Sequence, residues 1–186
     1  MIQLHTLSAT EIASDRLLLR KAQGIDREGL IELATDPEVR AYLGGPRPRG
    51  DVERYIDAVG AADLTSTPGS FVIADATTDE LIGTLALHRR SAERPGHVTE
   101  DGAELELSYV LRRSVWGAGL AFEAAAAVLR AAADELPDQP VVVVTQTANR
   151  RSLKLAARLG FRQVGTFEEF GAEQALSTAD LRSFAT

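Results

Sequence analysis

The residues best suited to chemistry are Trp116-Gly117-Ala118-Gly119-Leu120-Ala121, set between a strand-like and a helix-like stretch. The first turn of a helix offers unpaired N–H groups and the positive end of the helix dipole. Glycines there let an anion reach the backbone without meeting a Cβ, so the ligand that suits this turn is a diphosphate. A second group is Glu104, Glu106 and Ser108, which alternation places on one face of the preceding strand. Two carboxylates so close can alter each other's proton affinity. A third is Asn149 and Ser152 at the head of the last helix, where an asparagine commonly caps and a first-turn serine is ordinary.

Three kinds of phosphate site compete for the glycine turn. A P-loop needs Gly-x-x-x-x-Gly-Lys-Ser/Thr, and no segment matches. A dinucleotide fingerprint needs a third glycine, where this chain has Phe122, and an acid ending the next strand, where it has Thr145-Gln146-Thr147. Neither pattern fits, so the turn suits a diphosphate site of a third kind.

The elements that must hold these residues follow from periodicity. RLLLRK (16–21) reads as a strand, and 24–43 as helix with Asp26 as its N-cap and Pro37 starting a turn. GGPRPRG (44–50) is a loop, and 51–62 is helical through Val52, Tyr55, Ile56 and Val59. SFVIADA (70–76) and LIGTLALHRR (81–90) form a hairpin around residues 77–80, and 103–111 is the fourth strand. An alanine-rich helix ends before Pro137, with residues 122–133 apolar almost all round and so read as buried. VVVVTQT (141–147) has the unbroken apolar character of a buried parallel strand. Residues 149–160 are a helix closed by Gly160, and the rest supplies final strands. The order implies a single domain over residues 1–186, of α/β (α+β) class. Its sheet is mixed but mostly antiparallel, with one parallel crossover.

Bulk properties narrow the classes. The net charge of −7 argues against a general nucleic-acid binder and suits cationic partners, although acidic surfaces also serve solubility alone. The absence of cysteine excludes disulfides, thiolate metal sites and a cysteine nucleophile. His5, His88 and His97 are too scattered for a metal site, so none is expected. The polar start MIQLHTLSATEIASD lacks a signal-peptide core, and no run has the length of a membrane span. A soluble, cytoplasmic protein is expected.

Trp116 to Ala121 resembles the coenzyme A turn of the GNAT acetyltransferase superfamily, in the Trp-Gly-x-Gly-x-Ala form of its Rim-type branch, which acts on ribosomal-protein N-termini. Other segments resemble that branch in order: SDRLLLR (14–20), LATDPEVRAYLG, LIGTLALHR, Glu106-Leu107-Ser108-Tyr109, Asn149-Arg150-Arg151-Ser152 and Leu159-Gly160-Phe161. They cover about residues 14 to 170. Ser108 replaces the branch's usual glycine.

The resemblance implies a sheet splayed between the fourth and fifth strands, with acetyl-CoA as acyl donor. Pantetheine would pair with the backbone of Tyr109, Val110 and Leu111. The diphosphate would sit on N–H groups from Gly117 through Ala118, Gly119 and Leu120 to Ala121, beside Trp116, and Asn149 would orient the cofactor. Glu106 would be the general base, with Glu104 as the other candidate. Ser152 would donate to the leaving thiolate or help place the cofactor. The usual tyrosine acid position holds Ala156. A bulge freeing the N–H of Leu107 or Ser108 would stabilise the oxyanion. The acceptor is an amine-bearing small molecule or a protein N-terminus. Members of the branch often pair, so a homodimer is allowed. The competing readings are a coenzyme A-binding sensor without catalysis, and an interaction protein with the fold alone.

Overall fold

The computed structural model describes residues 5–186, so the start of the polar N-terminal stretch lies outside the described residues. The strands are β1 (Ile12–Ala13), β2 (Leu17–Arg20), β3 (Ser70–Asp75), β4 (Leu81–Arg89), β5 (Leu105–Leu111), β6 (Pro140–Gln146), β7 (Arg162–Glu169) and β8 (Ala172–Asp180). The helices of more than one turn are α1 (Arg27–Thr35), α2 (Arg49–Val59), α3 (Leu120–Glu135) and α4 (Arg150–Leu159). They build one eight-stranded sheet in the order β1-β2-β3-β4-β5-β6-β8-β7, mixed and mostly antiparallel as expected, with β1 a short added edge.

Every neighbouring pair is antiparallel except β5 and β6. Those two run parallel and pair only at Leu105↔Val141 and Glu106↔Val142. Beyond Glu106 they diverge, so the sheet opens into a V at its centre. The edge of β5 that faces β6 then has no strand partner from Leu107 onward. That edge, and not a bulge, frees backbone groups. The register of β5 against β4 is unbroken from Leu105 to Leu111, so the expected bulge is absent.

The two faces of the sheet carry different layers. Leu105, Leu107 and Leu111 share a core with Ala124, Ala125, Val128, Leu129 and Ala132 of α3 and with Ala156 of α4. Small residues at three- and four-residue spacing let α3 lie close to the strands. The opposite side of α3 carries Arg130, which is exposed, so the helix is buried on one face and not all round. The other core packs Leu30, Ile31, Val52 and Ile56 of α1 and α2 over Val72, Ala74 and Val110.

Helix limits differ from expectation for local reasons. Asp36 precedes Pro37 and is extended (ψ 120°), which stops α1 at Thr35. Asp26 does not cap α1 with its side chain; its carboxylate instead takes two hydrogen bonds from Arg20 and one from the Gln23 N–H. Gly160 ends α4 in the left-handed conformation (φ 100°), as its place predicts. No helix of the described residues is long and apolar enough to cross a membrane.

Candidate active site

The glycine turn joins β5 to α3. Gly117 (φ 84°) and Gly119 (φ 77°) both take conformations that favour glycine. A Cβ built at Gly117 would meet nothing, so the space above the turn is open. The N–H groups from Gly117 to Ala121 find no acceptor among the described residues. Five outward N–H groups at the positive end of a 16-residue helix suit a diphosphate. Arg16 braces the turn, donating to the Ala118 carbonyl at 2.9 Å and pairing with Glu123 at 2.6 Å. Trp116 donates from Nε1 to the Leu111 carbonyl, and Arg151 of α4 lies 4.3 Å over its ring.

Across the V, Asn149 caps α4 by accepting from the Ser152 N–H at 3.2 Å. Its amide nitrogen has no partner among the described residues. Ser152 and Ala156 stand one turn apart on α4, on the side where Tyr109 packs. The Tyr109 hydroxyl is buried without a well-formed hydrogen bond among the described residues. Burial pushes this phenol above the usual tyrosine range, and contact with Ser152 opposes the push. Val110, also expected at the cofactor, turns the other way and packs on the α1–α2 core.

Glu106 lies at the vertex of the V, on the α1–α2 face. Its Oε2 accepts from Arg90 Nη1 at 2.8 Å, with Arg94 Nη1 3.8 Å away, while Oε1 takes no hydrogen bond among the described residues. Next along this face, Ser108 is exposed although it sits mid-sheet, so a hollow opens above it. Half-buried Ala86 and His88 of β4 and Val144 and Gln146 of β6 surround the hollow. Gln146 Nε2 donates to the Tyr42 carbonyl at 3.2 Å, which draws the α1–α2 loop over its far side.

Glu104 has a different task. Its carboxylate is buried and holds the loop 91–102, accepting from the N–H groups of Val98 and Thr99 and contacting His97 Nδ1 at 2.7 Å. Burial alone would raise its pKa, but these bonds hold it down to about 2. A carboxylate so committed does not reach the V.

A family model described as an acetyltransferase (GNAT) domain matches residues 16–162. The chain belongs to the GNAT acetyltransferase family. It is 28% identical over 160 residues to an uncharacterised N-acetyltransferase, p20, of Bacillus licheniformis, covering 84% of this chain and 85% of the relative. Its fold is similar to that of a GNAT-family acetyltransferase of Bacillus anthracis, with TM-score 0.73 and 20% identity over 92% and 98% of the two chains. It is also similar to the RimL ribosomal L7/L12 α-N-protein acetyltransferase, with TM-score 0.68 and 16% identity over 91% and 93%. GNAT acetyltransferases take the acetyl group from acetyl-CoA and act on amines.

In this acetyltransferase the motifs alone did not find every polar group near the V. Arg90 is fully buried between Glu106 and Glu169, although alternation along 81–90 would have put it on the face of Glu106. His88 Nε2 and Ser70 Oγ are 2.6 Å apart, and His88 is the register partner of Glu106. Lys21 donates to the Ser70 carbonyl at 2.7 Å. Burial lowers the His88 pKa, the Lys21 charge lowers it further, and Glu106 opposes both. Pairing across strands far apart in sequence has no local signature.

Proposed function

We propose that this acetyltransferase moves an acetyl group from acetyl-CoA to a primary amine by direct attack in a ternary complex. The observation that carries this reading is the V itself. An open diphosphate turn lies on one side of it, and a carboxylate with a free oxygen, Glu106, at its vertex on the other. A thioester bound with its diphosphate on residues 117–121 supplies an electrophilic carbonyl and a sulfur leaving group.

Glu106 acts as general base through its free Oε1, directly or through one water, because an ammonium must lose a proton before it attacks. Arg90 fixes the other oxygen and so sets the orientation of the carboxylate. Ser152 lies at the positive end of α4, where a hydroxyl donor favours a departing anion. Unpaired N–H groups on the open edge of β5 supply donors for the carbonyl oxygen and for pantetheine. Asn149 keeps its amide nitrogen for the cofactor. The acceptor enters the hollow over Ser108. The Rim-type motifs and the likeness to an α-N-protein acetyltransferase favour a protein N-terminus over a small amine.

Calorimetric titration with acetyl-CoA, against NAD as control, tests the reading. Micromolar binding that is lost in Gly119→Trp, with melting temperature kept, supports it, and no binding by the wild-type protein refutes it. Glu106→Gln should bind acetyl-CoA normally and lose about 100-fold to 10,000-fold in acetylation of a screened amine. Binding with no turnover on any amine would instead mark a coenzyme A sensor.

A further inference from the structure

Tyr109 stands where β5 has already left β6, and α4 follows β6. Its ring packs against the α3–α4 core, and its hydroxyl is buried without a well-formed hydrogen bond among the described residues. Ser152 stands one turn before Ala156 on the side of α4 that packs against this ring, which brings its hydroxyl toward that of Tyr109. The two groups therefore face each other across the opening, one from each arm of the V. Ala156, one turn beyond Ser152, presents only a methyl to the same core. A buried hydroxyl without a partner is costly, and a ligand atom that completes its bonding removes that cost.

We propose that the Tyr109 hydroxyl, together with Ser152, donates a hydrogen bond to the sulfur of coenzyme A as the thioester C–S bond breaks. The inference rests on the acetyl-CoA reading above and assigns a second donor at the leaving group. In the step, the amine nitrogen forms the new bond to carbon, and the C–S electron pair stays on sulfur. The proton lost by the amine passes to Glu106 or its water. The tyrosine keeps its own proton, because a thiol titrates near ~8.5 and a phenol near ~10. Tyr109 is thus a hydrogen-bond donor and not a proton donor, and its burial keeps it in the donating form.

The test needs no acceptor. Coenzyme A and desulfo-coenzyme A, which lacks the thiol, are each titrated calorimetrically into wild-type protein, Tyr109→Phe and Ser152→Ala. The thiol of bound coenzyme A is titrated by its thiolate absorbance in the ultraviolet. Wild-type protein should prefer coenzyme A over the desulfo form by about threefold to tenfold, the worth of one hydrogen bond. Tyr109→Phe should lose most of that preference while holding desulfo-coenzyme A within about twofold, and its bound thiol should titrate at higher pH. Ser152→Ala should reduce the preference in part.

An equal preference in wild-type and Tyr109→Phe protein overturns the inference alone. An equal loss of both ligands in Tyr109→Phe also overturns it, since that marks a packing role. If Tyr109→Phe does not fold, a bound thiol in the wild-type protein that titrates as it does free in solution overturns it. Failure of wild-type protein to bind either ligand removes the acetyl-CoA reading and this inference together.

Discussion

The Arg90 guanidinium is wholly buried, with Nη1 2.8 Å from Glu106 Oε2 and Nη2 3.4 Å from Glu169 Oε2. One cation thus ties β5 to the end of β7 across the intervening strands β6 and β8. Removing a buried partner leaves the remaining charges desolvated, which costs far more than the intact pair contributes. Arg90→Met should therefore lose about 3–5 kcal/mol of stability by urea unfolding. Glu169→Gln added to it should restore part of that loss, because one carboxylate fewer then competes for the charge of Arg94. A loss under about 1 kcal/mol would show that Arg94, 2.8 Å from Glu169, holds the cluster without Arg90.

Glu104 makes stability depend on acid. Its folded pKa is held to about 2, against 4.5 for a free glutamate. The stabilisation is complete above about 4.5 and is lost as pH falls toward about 2, since the unfolded chain takes up the proton first. The buried carboxylate contributes on the order of 3 kcal/mol in that comparison. Urea unfolding across this pH range should show the decline in wild-type protein, and Glu104→Gln should flatten it. An unchanged slope in Glu104→Gln would place the acid sensitivity elsewhere. Binding of acetyl-CoA at neutral pH should survive, because loop 91–102 lies away from the glycine turn.

How far the sequence carries can be judged at these residues. Gly117, Gly119, Asn149 and Gly160 were legible, because each is fixed by a local backbone need: an open turn, a cap or a left-handed end. The mostly antiparallel sheet with a single parallel pair followed from apolar patterning and element sequence. The pairing of Glu104 and Glu106 as alternative bases could not be resolved the same way. Alternation assigns both to one face, and their fates separate only through partners elsewhere: loop 91–102 for Glu104, which lies just before β5, and Arg90 for Glu106. Likewise the bulge expected at Leu107 and Ser108 was unnecessary, since divergence from β6 already frees that edge.

His88 offers a pH probe of the hollow over Ser108. The groups facing it are Ser70 on β3, Lys21 beyond β2, Glu106 on β5 and, through Glu106, Arg90. Burial and Lys21 hold the ring neutral below the usual histidine range, so the unfolded chain binds its proton first as pH falls. His88 should thus subtract stability as pH drops from about 6.5 toward its folded value. Nuclear magnetic resonance titration of the ring should show Lys21→Met moving the midpoint up and Glu106→Gln moving it down. A midpoint that ignores both substitutions would show that neither charge reaches the ring.

Trp116 is the only tryptophan, and Arg151 lies 4.3 Å over its ring, so intrinsic fluorescence reports on the glycine turn. The stack joins the turn on one arm of the V to α4 on the other. It also holds a guanidinium beside the five unpaired N–H groups, where an anionic ligand would meet it. A stacked cation of this kind contributes about 0.5–2 kcal/mol. Acetyl-CoA should therefore change the Trp116 emission on binding, and Arg151→Ala should weaken its affinity about twofold to fivefold, the worth of one exposed ion pair between the guanidinium and the diphosphate. The loss should shrink in high salt, because the contact would be between charges at the surface. Emission that changes with acetyl-CoA while affinity stays the same in Arg151→Ala would assign Arg151 to packing on Trp116 and leave the N–H groups to hold the diphosphate without it.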